Sequence, residues 1–171
     1  MPTLTVGDMS LMLVTSSPMM KGASVSQTLT VEQRIAVARD YTTYVFNEHH
    51  PERAREYVTS DVVWHGGSLG TVSGVENLTG LLTSFLGALP DLRAEEQDVV
   101  ASRDLVAMRF VVTATQQADL LGIPAAGRKV RWDAVDIYRV TDEGRISEEW
   151  ASDDMATFGS QLGAFALPWA R

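Results

Sequence analysis

The 171-residue sequence has no cysteine. Disulfides, thiol nucleophiles and thiolate metal sites are therefore excluded. The lack of thiols fits a reducing compartment, and a cytoplasmic location is expected. Cationic side chains are also scarce: 14 Lys and Arg stand against 22 Asp and Glu, a formal net charge of −8. The few basic residues are interleaved with acids, as in Glu52, Arg53, Arg55 and Glu56. Nucleic-acid binders gain affinity by releasing phosphate counterions and carry a basic face to do so. No such patch is legible, so neither nucleic acid nor an anionic membrane is an expected partner. No run approaches the ~20 apolar residues of a membrane-spanning helix. Gly66, Gly67 and Gly70 do not lead from a strand into a helix as a phosphate-binding loop does.

What is present is ordinary for a globular domain: 45% hydrophobic and 21% charged residues. A chain of this length fits one domain. It can bury roughly two-thirds of its unfolded surface, enough to tolerate an internal cavity. Residues 1–26 read as a flexible leader and 27–171 as the domain. The apolar stretch Leu11–Val14 lacks the preceding basic residues of a secretion signal, and Met19 or Met20 is an alternative start.

Thr30 and Gln33 form a capping-box pattern, and Ile35, Ala38, Thr42, Val45 and Phe46 recur at helical spacing. This predicts a first helix ending near His50, before Pro51. Pro51 opens a short second helix to Tyr57. Asp61–His65 reads as a strand stopped by Gly66-Gly67. Val75–Leu89 reads as a third helix with Leu78, Leu81, Leu82, Phe85 and Leu86 on one face, stopped by Pro90. Strands follow at Arg93–Val100, Leu105–Gln117, Lys129–Val140 and Arg145–Ser152, with turns at Ser102–Asp104 and Asp142–Gly144. A last short helix covers about Asp154–Leu162. Helices first and an antiparallel meander after is an α+β pattern. The helices are expected to cover the concave side of a curved sheet, with a ligand space between.

Several ordered segments carry a family likeness. They are Phe46-Asn47, Asp61–His65, Gly122–Arg128, Asp136–Val140, Glu143–Trp150 and Gln161–Gly163. Together they resemble the SnoaL-like polyketide cyclases of the NTF2-like cone fold. The resemblance implies a cone of curved sheet and helices around a small-molecule pocket. It implies no metal or cofactor, and a reaction in which an aromatic polyketide ring closes by intramolecular aldol condensation. Homodimer formation is expected from the same fold family. In those cyclases an aspartate on the last strand moves the proton, beside a histidine on the preceding strand. Across the hairpin the histidine position falls on Asp136, and the aspartate position falls on Ala151, which cannot move a proton. The gap counts against aldol chemistry and epoxide opening alike and motivates ligand binding without catalysis as an alternative; epoxide opening stays as another, with Asp136 and His65 as its acid and base.

Asp136 is the first candidate acid/base. Alternation along its strand puts Trp132, Ala134, Asp136 and Tyr138 on one face, where aromatic surroundings would raise its pKa. The competing reading is a structural carboxylate paired with Arg109. His65 is the second candidate, a base or orienting partner for Asp136; the bland alternative is a histidine satisfied at a turn. Asp153 shares the face of Ala151 and is the third, while Asp154 reads as a helix cap. Trp64, Met108, Phe110, Trp132, Tyr138 and Trp150 are candidate walls for a flat ligand, and Arg109 a candidate contact to substrate oxygen. His49 and His50 point apart on a helix end and do not make a metal site.

Overall fold

The computed structural model describes residues 28–169. The expected leader lies outside the described residues. The element order is α1 (Val31–Tyr41), α2 (Ala54–Tyr57), β1 (Val58–His65), β2 (Thr71–Ser73), α3 (Val75–Ala88), β3 (Arg93–Ser102), β4 (Leu105–Thr115), β5 (Lys129–Val140), β6 (Ile146–Asp153) and α4 (Met155–Gln161).

Local chemistry explains most boundaries. At the start of α1 the Gln33 amide donates to Thr30 Oγ1 (3.2 Å) and the Thr30 amide to Gln33 Oε1 (2.8 Å). Two otherwise orphaned donors are satisfied. The first helix was expected to run unbroken; instead it widens into a π-helical turn over Thr42–Asn47. Thr42 Oγ1 donates back to the Ala38 carbonyl (3.1 Å), and the altered pitch turns Thr42 and Phe46 toward the interior. Such turns are frequent at functional sites. The segment ends at His49, whose φ of 60° is left-handed. Pro51 then opens a 3-10 turn, Pro51–Arg53, ahead of α2.

β1 starts three residues before the expected Asp61. It turns through a 3-10 segment, Gly67–Leu69, into the short β2, which was not foreseen. Gly66 is required for packing: a Cβ there would lie 1.9 Å from the Trp64 ring. α4 is capped by Asp154, whose Oδ1 accepts from the Thr157 amide (3.0 Å).

The six strands form one sheet in the order β2-β1-β6-β5-β4-β3, antiparallel throughout except for the parallel β1–β6 pair. Residues of the π-helical turn, α3, β4, β5 and β6 converge on its concave side. The α+β cone expected from the sequence is what forms. The core is aromatic at its centre: Tyr41, Phe110, Tyr138 and Phe158 are fully buried. Tyr41 meets Tyr138 edge-on at 6.0 Å, and Phe158 of α4 lies 4.7 Å from Trp132. Each such side chain contributes roughly 1.5–3 kcal/mol by leaving water.

Candidate active site

A cavity opens between the helices and the inner face of the sheet, and strand alternation decides what lines it. On β5 the inward residues are Trp132, Ala134, Asp136 and Tyr138; on β6 they are Glu149, Ala151 and Asp153. The register pairs Asp136 with Ala151, Tyr138 with Glu149 and Ala134 with Asp153. Ala151 thus leaves a gap directly opposite Asp136, with a carboxyl on either side along β6. These diagonal neighbours are roughly 7–8 Å apart by sheet geometry.

Each carboxyl has one side-chain donor. The Tyr138 hydroxyl donates to Asp136 Oδ2 (3.2 Å), Trp132 Nε1–H to Asp153 Oδ1 (2.6 Å) and the Tyr41 hydroxyl to Glu149 Oε2 (3.3 Å). The remaining walls are apolar apart from Thr42, with Phe46, Trp64, Phe85 and Phe110 among them, and no Lys, Arg or His among the described residues lines the cavity. Burial without a countercharge favours the neutral acid. Burial, reinforced by the negative charge of Asp153, pushes Asp136 up to about 7 against the hydrogen bonds from Tyr138 and Ser152. Burial and then the charge of Asp136 hold Glu149 well above the usual carboxylate range. Burial also raises Asp153, with the Trp132 hydrogen bond opposing.

Of the residues singled out from the sequence, Asp136, Asp153, Trp64, Phe110, Trp132 and Tyr138 line this cavity. Four others do not. His65 follows the inward Trp64, so alternation turns it to the outer face. There its Nε2 sits 3.0 Å from Glu148 Oε1, and its ring stacks on Trp150 at 5.5 Å. The expected Asp136–His65 pair is therefore not formed. Trp150 lies between the inward Glu149 and Ala151 and faces out for the same reason; the Arg139 guanidinium covers it at 5.6 Å. Arg109, between the inward Met108 and Phe110, donates through Nε to Asp98 Oδ2 (2.8 Å), so it pairs with neither Asp136 nor a ligand in the cavity. Met108 pairs with Asp136 in the β4–β5 register but packs in the core without reaching the cavity surface.

Glu149 is the cavity carboxyl that sequence reasoning missed, and Thr42, Phe46 and Phe85 are lining residues it did not assign to the site. The signal for Glu149 was available: it is two residues from Ala151, as Asp153 is, and so shares their face.

Because the Trp64 ring fills the space over Gly66, Gly66→Ala is expected to push the indole out of the cavity wall. Overpacking of this kind costs about 1–3 kcal/mol, a fall in Tm of roughly 2–4 °C for each kcal/mol. Thermal melts and near-UV circular dichroism check it. An unchanged melt and spectrum would mean that the loop moves instead.

A curved sheet closed by helices over an apolar, carboxyl-bearing cavity defines a small-molecule protein of the NTF2-like class. The chain belongs to the SnoaL-like polyketide cyclase family, whose family model matches residues 36–162. It is similar in structure to AclR from Streptomyces galilaeus, a candidate hydroxylase, at 27% identity and a TM-score of 0.71, covering 80% of this chain and 99% of that one. IdmH from Streptomyces antibioticus, a candidate polyketide cyclase, matches at 29% identity and 0.66, over 77% and 99%. A SnoaL-like protein from Jannaschia shares the fold at 20% identity and 0.71, over 81% and 99%. No curated protein is significantly similar to the chain. Among the described residues no helix is long and apolar enough to cross a membrane.

Proposed function

We propose that this protein is an enzyme acting on a polyketide-like small molecule by proton transfer, without a bound cofactor. One observation carries the reading: Asp136, a carboxyl held near 7, stands at the centre of an aromatic cavity with an open space across from it at Ala151. A general base works best when its pKa lies near the operating pH. Asp136 would take a proton from a carbon next to a carbonyl. The resulting enolate attacks a second carbonyl in the same molecule, one carbon–carbon bond forms, and the new alkoxide takes up a proton. The apolar walls exclude water, which strengthens each electrostatic contact in the cavity. Family membership supports the polyketide-like substrate; the cytoplasmic location proposed with it rests on the lack of cysteine and the homodimer on the resemblance to the fold family.

Binding without turnover is the second reading, favoured by Ala151, which falls where the resemblance to the cyclases places their aspartate.

The test is the pH dependence of kcat/KM with an aromatic poly-ketone ester as probe. We expect the rate to rise as one proton is lost, with a midpoint near the 7 of Asp136. A probe that binds but is recovered unchanged across the whole pH range would replace the enzyme reading with the binding one.

A further inference from the structure

We propose that Glu149 is the catalytic acid that complements Asp136, protonating the oxygen on which charge develops. The proposal rests on the reading of Asp136 as the base. Glu149 is 1% exposed yet lines the cavity, beside the Asp136–Ala151 gap rather than within it. Its Oε2 accepts from Tyr41; Oε1 has no hydrogen-bond partner among the described residues. An acid that must donate into a ligand needs such an oxygen free.

The groups facing Glu149 decide its charge. From β5 these are Asp136 and Tyr138, from β6 Asp153, and from α1 Tyr41; Trp64 of β1 lies beside it in register and is neutral. None is a cation. Ionising both Glu149 and Asp136 would put two uncompensated charges in an apolar cavity; Asp136 is the less buried of the two, so it ionises first and Glu149 keeps its proton. Two carboxyls whose environments separate their titrations are the usual signature of an acid and a base in one site. Asp153 is the weaker candidate for the acid, because its hydrogen bond from the Trp132 indole (2.6 Å) is much shorter than the one from Tyr41 to Glu149 (3.3 Å) and favours the ionised form more.

The step balances within the protein. Asp136 takes the carbon-bound proton, the carbon–carbon bond forms, and the oxygen of the attacked carbonyl takes the Glu149 proton. Asp136 then returns its proton to Glu149, by way of the product hydroxyl or water, and both groups are restored.

The experiment compares pH–rate profiles of the wild type, Glu149→Gln and Asp136→Asn on the same poly-ketone ester. The wild type is expected to give a bell, rising with Asp136 and falling as Glu149 ionises. Glu149→Gln keeps the shape but holds no transferable proton. We expect kcat to drop by about 10²–10⁴-fold with KM little changed, and the alkaline fall to disappear. Glu149→Gln with a wild-type kcat and both limbs intact, beside an inactive Asp136→Asn, overturns this proposal alone. Full turnover in Asp136→Asn overturns the underlying reading instead. Should Glu149→Gln not fold, carboxyl NMR of glutamate-labelled wild type decides. One glutamate still protonated at about pH 8 supports the acid, and all ionised by about pH 6 overturns it.

Discussion

Asp136→Asn is expected to lower kcat/KM by about 10²–10⁴-fold and, in the same variant, to make the protein more stable at alkaline pH. The two effects share one cause. The carboxyl titrates near 7 in the folded chain against an ordinary value of 3.8, chiefly because burial penalises its charge. Between those values the folded state binds the proton and the unfolded chain does not. Stability therefore falls as pH rises from about 4 to about 7, and the loss is complete above the folded value. Asparagine is uncharged at any pH and escapes the penalty. Because Asp136 retains access to the cavity, the gain is discounted to on the order of 2 kcal/mol. That is a rise in Tm of roughly 4–8 °C at about pH 8, with no comparable gain at about pH 4. Loss of turnover without the alkaline gain would mean that Asp136 is solvated and ionised like a surface acid. Its role would then have to be positional. A site that is less stable than its neutral analogue is the expected cost of holding a base in an apolar cavity.

The helix and strand inventory was legible because it is written in local chemistry: Thr30 with Gln33, Pro51, Gly66, Pro90 and Gly144 each mark a boundary by their own conformational demands. The π-helical turn was not, since one extra residue per turn does not disturb a short apolar period. β2 was missed because three residues cannot display an alternation. The site was half legible for a related reason. Alternation on β5 correctly grouped Asp136 with Trp132 and Tyr138. The same rule, applied to neighbours, forbids Trp64 and His65 from facing in together, and likewise Trp150 and Ala151. Large aromatic side chains drew attention where parity should have decided. Glu148 and Glu149 look alike in the sequence, two acids on a strand. What separates them is non-local: Glu149 meets Tyr41, 108 residues earlier in the chain, while Glu148 meets His65 and Arg139 on the outer face.

Tyr41 reaches Glu149 because α1 is held at a fixed angle on the sheet; Arg39 ties it to Glu96 of β3 at the surface, and Arg34 is its buried tie. The residue is 4% exposed. It donates to the carbonyls of Val140 and Thr141 and to the Asp142 carboxylate, gripping the end of β5 and the turn that follows. The planar fork of arginine suits three acceptors; a lysine ammonium on a flexible stem does not reproduce it. Arg34→Ala takes this donor from two carbonyls, of which that of Thr141 keeps the Gly144 amide (3.1 Å), frees Asp142 to water and opens a space beneath α1. The stranded Val140 carbonyl costs about 1–3 kcal/mol and the space left by the side chain adds to it, so a total on the order of 3 kcal/mol is expected. For a chain of this size that is a fall in Tm of roughly 6–12 °C, with Arg34→Lys intermediate. The effect should carry into the site. A loosened α1 shifts Tyr41 and Thr42 away from Glu149 and Tyr138, which removes the hydrogen bond from Tyr41 that steadies the proposed acid. Differential scanning calorimetry and the pH–rate profile of Arg34→Lys read the two consequences separately. A Tm lowered by less than about 2 °C in Arg34→Ala would show that water satisfies the carbonyls and that apolar packing alone sets the helix on the sheet.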